Sequence, residues 1–157
     1  MDRDTDQSPR GGVTRRRVLG IGTLALLGGG VLVVQTRFSR AQEAGVMTPP
    51  EALEAAAKGD ILLVDVRRPD EWQATGLPQN AVGIDMRRSD FVSAVLVARR
   101  HAQQPVAVIC ARGVRSARVT QLFEAEGVSP IIDVPEGMLG SRAGPGWLKR
   151  GLPVDRP

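Results

Sequence analysis

The chain has 157 residues, which suits one domain with an extension better than two domains. Hydrophobic residues make up 42% of it and charged residues 24%, so a chain disordered throughout is excluded. The net charge of +4 belongs to residues 1–41, which hold seven arginines against three aspartates, whereas the rest of the chain is balanced. With aromatic residues at 3% and no tyrosine, a surface that stacks nucleic-acid bases is not expected, and we predict no nucleic-acid partner.

Residues 1–41 have the pattern of an export signal. A basic stretch precedes an uncharged apolar run at residues 18–34, and the Ser-Arg-Ala sequence at 39–41 offers small residues to a signal peptidase. The Arg15–Arg16 pair resembles the twin-arginine signal, which implies export of an already folded protein. The alternative is an uncleaved signal anchor, with residues 18–34 held in the inner membrane. In either case we expect the remainder to be periplasmic or otherwise exported, with no other membrane contact.

From residue 42 onward, after a short linker, helical patterns alternate with apolar runs that predict strands. The first helix is opened by proline and closed by Gly59, and the second begins with a Ser89 or Asp90 cap. The last helix ends at Gly127. The predicted helices are residues 50–60, 89–104 and 114–128, and the predicted strands are residues 61–66, 80–84, 105–110 and 130–134.

This alternation predicts βαβ units, hence a mostly parallel sheet with helices on both sides. Ligands of such folds gather at the carboxyl ends of the strands. Cys110 lies at the end of the strand predicted over residues 105–110.

The single cysteine is followed by residues of the kinds that an anion-binding loop requires. Backbone N–H groups between a strand and a helix can converge on an anion, and Gly113 permits a backbone conformation that a side chain would hinder. Arg112 and Arg115 add positive potential, which favours the thiolate over the thiol and predicts a nucleophilic Cys110. The alternative is a buried structural cysteine in a core strand. A lone thiol in an exported protein has no intramolecular disulfide partner, which favours reactivity or pairing with another molecule.

Three segments in order resemble one family. VICARGVRSA (108–117) resembles the Cys-x-x-Gly-x-Arg-Ser active-site loop of the rhodanese sulfurtransferases. LLVDVRRPDEW (62–72), followed by Gly76, is similar to that family's upstream signature, and GMLGSRAGPGWLKRGLPV (137–154) to its closing segment. The resemblance covers roughly residues 44–154. One departure is Leu77, which stands where the family usually has a histidine.

The resemblance implies a rhodanese-like domain over residues 42–157, with an α/β/α architecture around a five-stranded, mainly parallel sheet. It also implies that Cys110 takes a sulfur atom from thiosulfate or a similar anionic donor and passes it from a persulfide to a thiol or cyanide. A second hypothesis is a sulfur carrier that delivers this sulfur to a protein partner with little turnover on small molecules. By resemblance, the residues that bind the substrate and the persulfide are Ala111, Arg112, Gly113, Val114, Arg115 and Ser116.

Other chemistries fit less well. The related phosphatases have one more residue between the cysteine and the arginine than the four that separate Cys110 from Arg115. The chain has one histidine and no second cysteine, so thiol-protease and zinc sites lack their residues, and we expect neither a metal nor a cofactor.

Asp65 and Arg67 are candidates for the rim of the pocket. The favoured alternative is that Asp65 and Glu71 hold loops through hydrogen bonds and ion pairs.

Overall fold

The computed structural model describes residues 45–156, so the predicted export signal at residues 1–41 lies outside the described residues. No helix between residues 45 and 156 is long and apolar enough to span a bilayer. The helices are α1 (Pro49–Lys58), α2 (Pro69–Thr75), α3 (Phe91–Ala98) and α4 (Val114–Ala125), and the strands are β1 (Leu62–Asp65), β2 (Leu77–Pro78), β3 (Ala81–Gly83), β4 (Val106–Ile109), β5 (Ile131–Val134) and β6 (Val154–Asp155).

A parallel sheet with strand order β3-β1-β4-β5 forms the centre of the fold. Every residue of β1 and β4 is buried, as their continuous apolar runs predict for strands covered on both faces. The short strands β2 and β6 pair antiparallel in a separate two-stranded sheet. The predicted α/β class with a mainly parallel sheet is therefore confirmed.

The central sheet has four strands within the described residues, whereas five were expected. Where a fifth strand would lie, Val46 forms a single parallel bridge with Asp133. Two hydrogen bonds hold it, from the Met47 N–H to the Asp133 carbonyl at 2.9 Å and from the Asp133 N–H to the Gly45 carbonyl at 2.8 Å. Helix α1 begins at Pro49, so the extended segment on this side ends after the bridge.

Alternate residues of the strands enter two separate cores, one on each face of the sheet. In β4, Ala107 and Ile109 face the core that contains the buried alanines of α1. Val106, Val108 and then Cys110 face the opposite core, which α3 and α4 cover. There the rings of Phe91 and Phe123 stack with centroids 5.6 Å apart. The cysteine side chain thus lies at the carboxyl edge of the sheet, on the face covered by α3 and α4.

Candidate active site

The segment from Cys110 to Ser116, which we call the sulfur loop, connects β4 to the first turn of α4. Gly113 is the N-cap of α4 and has φ of 84°, a left-handed conformation that favours glycine. A Cβ atom at this position would also collide with the carbonyl oxygen of Pro135. The sequence therefore needs a glycine at this position to let the chain enter the helix so soon after the strand.

A second loop, residues 135–140, lies against the sulfur loop, and we call it the support loop. Its Met138 N–H donates to the Cys110 carbonyl at 2.8 Å, and its Leu139 N–H donates to the Ala111 carbonyl at 2.9 Å. A Cβ atom on Gly137 would lie 2.6 Å from the Ala111 carbonyl oxygen, so a glycine is required for this close approach. The support loop thus fixes the carbonyl groups at the start of the sulfur loop.

The N–H groups of the sulfur loop are left available. In the part of the chain that the structure describes, none of the six N–H groups from Ala111 to Ser116 has a hydrogen-bond acceptor, either backbone or side chain. The later ones belong to the first turn of α4, where N–H groups have no partner within the helix. A row of unpaired N–H groups at a helix N-terminus suits an anion, so a thiolate, a persulfide or an anionic donor fits here.

Cys110 begins this loop, and only 1% of the surface of this residue is exposed. Its thiol donates to the hydroxyl of Ser116, with 3.7 Å between sulfur and oxygen. That hydroxyl in turn donates to the Gly113 carbonyl at 3.0 Å, and Ser116 is itself buried. Because Cys110 is so fully buried, a reagent has to penetrate the protein surface to reach the sulfur.

Arg115 is held by a carboxylate from another element. Its two terminal nitrogens donate to the two carboxylate oxygens of Glu71 on α2, each at 2.7 Å. The Arg115 hydrogen bonds lower the pKa of Glu71 to about 2. Glu71 raises the pKa of Arg115, and the Cys110 thiolate adds to this to a smaller extent. The guanidinium is therefore a fixed positive charge near the sulfur.

Asp65 and Arg67 are buried, at 0% and 1% exposure, and are paired with each other rather than placed on an exposed rim. Arg67 Nε donates to both Asp65 oxygens at 3.0 and 2.8 Å. Its terminal nitrogens reach Thr75 Oγ1 and the Gly76 carbonyl, both at 2.7 Å. Burial raises the pKa of Asp65, and Arg67 opposes that rise. The pair joins the end of β1 to the end of α2, and so it positions the helix that carries Glu71.

Sequence reasoning assigned Glu71 to holding loops but did not identify Arg115 as its partner. The two residues are 44 positions apart, and no local pattern joins them. The support loop was also missed as part of the site, although its Gly137 lies in the segment that resembles the family's closing region. Leu77, at the position of the family's histidine, lies in β2 opposite Asp155.

Comparisons with known proteins show which family and which folds this chain is similar to. The family model described as a rhodanese-like domain matches residues 48–142. The polysulfide-sulfur transferase homodimer of Wolinella succinogenes is 26% identical with a TM-score of 0.56, and the match covers 83% of this chain and 93% of that one. A Mycobacterium tuberculosis protein, Rv0390, is 27% identical with a TM-score of 0.53, and the match covers 71% of this chain and 97% of that one.

A third structure shows likeness in fold alone. It is a Rhodopseudomonas palustris protein of unknown function, described as a possible tyrosine phosphatase, with 18% identity, a TM-score of 0.51 and coverage of 92% of this chain and 100% of that one. No curated protein sequence matches the chain. The family match extends over most of the domain and includes both the sulfur loop and the support loop. The chain therefore belongs to the family of rhodanese-like domains.

Proposed function

We propose that this protein is an exported sulfurtransferase, which moves sulfane sulfur from thiosulfate or a similar donor to a thiol or cyanide through a persulfide on Cys110. Membership of the rhodanese-like family supports the reaction class. The observation that carries the proposal is the row of six N–H groups, residues 111–116, that have no acceptor among the described residues and belong to the loop that begins at the only cysteine of the sequence.

The reaction proceeds in two displacements. The Cys110 thiolate attacks the outer sulfur of thiosulfate, an S–S bond forms to Cys110, and the S–S bond within the donor breaks as sulfite leaves with the electron pair. The acceptor thiolate or cyanide then attacks the outer sulfur of the persulfide, and the electron pair returns to Cys110. The N–H groups of the sulfur loop stabilise the negative charge in each state, and Arg112 and Arg115 attract the anionic donor.

Intact-mass spectrometry tests the chemistry. After incubation with thiosulfate, the purified protein should gain the mass of one sulfur atom, and cyanide should remove it. The Cys110→Ser variant should gain nothing, and it is a close control because it changes one atom. If the wild-type protein also gains no sulfur from thiosulfate or polysulfide, Cys110 is a structural residue of the core and the proposal is wrong.

A sulfur carrier is the second candidate, and the burial of the sulfur favours it. Cys110 is 1% exposed, while Val114 of the sulfur loop and Leu139 of the support loop are 64% and 43% exposed. A nucleophile recessed below an apolar surface suits transfer to a docked protein more than rapid turnover of small molecules. Steady-state rates decide between the two. A persulfide that forms stoichiometrically but turns over with cyanide no faster than the Cys110→Ser background identifies a carrier.

Export is part of the proposal and rests on residues 1–41. In bacterial cells, the double variant Arg15→Lys and Arg16→Lys should retain the protein in the cytoplasm, whereas Arg37→Lys should not. If the protein has the same molecular mass in the whole-cell and exported fractions, residues 1–41 act as an uncleaved anchor. Export of the double variant at the normal level would exclude the twin-arginine route.

A further inference from the structure

The surface around the sulfur loop combines exposed apolar side chains with unpaired cations. We call it the docking rim and define it as Val114, Leu139, Arg112, Arg118 and Arg142. Val114 is 64% exposed and Leu139 is 43% exposed, and the three arginines are exposed. Apolar side chains of this size grouped beside a reactive group indicate an interaction site more often than isolated ones do.

Hydrogen bonds and helix spacing place these residues around the sulfur loop. Val114 and Arg118 are one helical turn apart on the exposed side of α4, so their side chains are neighbours. The Leu139 N–H donates to Ala111 of the sulfur loop at 2.9 Å. The Arg112 guanidinium donates to the Gly140 carbonyl at 3.3 Å and so bridges the two loops.

Arg142 belongs to the same surface because its turn is tied to the support loop. The Ser141 hydroxyl donates to the Pro135 carbonyl at 2.7 Å, and the Ser141 N–H donates to the Gly144 carbonyl at 2.9 Å. Arg142 lies inside this anchored turn, one residue after Ser141.

The charged side chains of the docking rim are all positive. Between residues 45 and 156, no carboxylate forms an ion pair with Arg112, Arg118 or Arg142. Two acidic groups near the site are already engaged, since Glu71 is bound to Arg115 and the buried Glu136 is bound to Arg150. The one acidic residue of α4, Glu124, lies near the far end of the helix, about ten residues and roughly 15 Å along the axis from Val114.

We propose that the docking rim binds an acidic segment of a protein partner that presents its acceptor thiol to the Cys110 persulfide. Apolar contact with Val114 and Leu139 provides a binding area that a small thiol lacks, and the three guanidinium groups select negative charge. This inference rests on the proposed sulfur transfer. In the transfer step the partner's thiolate attacks the outer sulfur, the S–S bond to Cys110 breaks, and Cys110 recovers the electron pair.

Synthetic acceptor peptides test the proposal with the protein loaded by thiosulfate. One peptide, the acidic one, has a cysteine flanked by glutamate and leucine residues. The basic control peptide has the same sequence with lysine in place of each glutamate. Dithiothreitol, an uncharged thiol, serves as the small acceptor. We expect kcat/KM for the acidic peptide to exceed that for the basic one by about tenfold, with the difference lost in about 1 M salt, where the Debye length is short.

Variants at the rim locate the effect. The variant Arg118→Glu should lose the preference for the acidic peptide while its rate with dithiothreitol stays within about twofold. The matched control is Arg100→Glu, because Arg100 is also exposed and lies just after α3. Equal effects of the two variants, or equal rates for the two peptides, would overturn the proposal.

Binding can be measured apart from the chemistry. Anisotropy of the labelled acidic peptide with the Cys110→Ser protein should show saturable binding that Arg118→Glu weakens several-fold. If wild-type protein forms no persulfide, the proposed function fails but this measurement still decides the docking rim. Absence of binding with normal transfer to dithiothreitol would reject the rim and leave the sulfurtransferase intact.

Discussion

Glu71 and Arg115 join the first turn of α2 to the last residue but one of the sulfur loop through two hydrogen bonds of 2.7 Å. Such a two-point contact fixes the direction of the guanidinium as well as its distance. Since Arg67 in turn ties the end of α2 to β1, the position of Arg115 depends on a series of contacts that begins in the sheet.

Replacing the carboxylate tests this dependence. Glu71→Gln should lower kcat/KM for thiosulfate by about tenfold, because Arg115 loses its fixed direction, and lower the free energy of unfolding by about 1 kcal/mol, since the pair is only partly buried. Donor kinetics and urea unfolding measure the two effects. Glu51→Gln is the control, since Glu51 lies on α1 and forms a capping contact with Thr48. Normal kinetics in Glu71→Gln would show that Arg115 needs no anchor.

The same pair predicts a dependence on pH. The pKa of Glu71 is lowered from 4.5 to about 2 in the folded protein, so its contribution is complete above pH 4.5 and is lost as pH falls toward 2. The difference in unfolding free energy between wild type and Glu71→Gln should therefore be constant from pH 5 to 7 and shrink in more acidic solution. A difference that grows on acidification would contradict the assignment.

The buried pair of Asp65 and Arg67 should be far more sensitive. Arg67→Met removes the guanidinium from the Gly76 carbonyl and from the buried Asp65 carboxylate, which keeps only the N–H of residue 67, and we expect a loss of about 3 to 5 kcal/mol in the free energy of unfolding. Arg68→Met is the neighbouring control and should have a much smaller effect, since Arg68 is exposed. Comparable losses in the two variants by urea denaturation would mean that burial of the pair does not determine its energetic role.

A comparison of two glycines with similar backbone angles distinguishes the cost of backbone strain from the cost of a steric clash. Gly113 and Gly127 have φ of 84° and 71°, but only at Gly113 does an added Cβ meet other atoms, those of Pro135. Gly127→Ala should cost about 1 kcal/mol from the left-handed backbone alone. Gly113→Ala should cost clearly more and also reduce persulfide formation, measured by intact mass. Equal costs with unchanged persulfide formation would show that the loop adapts freely.

Asp133 is expected to destabilise the fold at neutral pH. Burial raises its pKa, against smaller opposing effects of Ser116 and the Val134 N–H, and one of its carboxylate oxygens is buried without a partner. A raised pKa means that stability is lost as pH rises through the folded-state value. Asp133→Asn should thus raise the free energy of unfolding at pH 7 by about 1 kcal/mol, with no gain below pH 3.8. Asp60→Asn, at an exposed site, should change nothing.

The local parts of the fold were predictable because burial and backbone chemistry leave short-range patterns. The continuous apolar runs of β1 and β4, and the glycine that ends α1, identify those elements without any alignment. Helix α2 has seven residues and none is buried, so it leaves no apolar period, and only Pro69 and the acidic residues after it indicate its start. Helix α3 ends at Ala98, earlier than predicted, because Arg99 is extended.

The candidate site was predictable only as far as it lies in one stretch of sequence. The sulfur loop is contiguous from Cys110 to Ser116, so its residues could be proposed together. The support loop and Glu71 reach that loop through contacts made only when the chain is folded. A separation of three or four residues in a helix leaves a pattern in the sequence, whereas the 44-residue separation of Glu71 and Arg115 leaves none.

The support loop also fixes the orientation of the peptide dipoles in the sulfur loop. In a trans peptide unit the carbonyl and the N–H that follows it point in opposite directions. Because Met138 and Leu139 capture the carbonyls of Cys110 and Ala111, the next N–H groups along the chain must turn to the other side. A polypeptide cut before residue 137 would keep the cysteine and both arginines of its loop yet lose the constraint that orients these peptide planes.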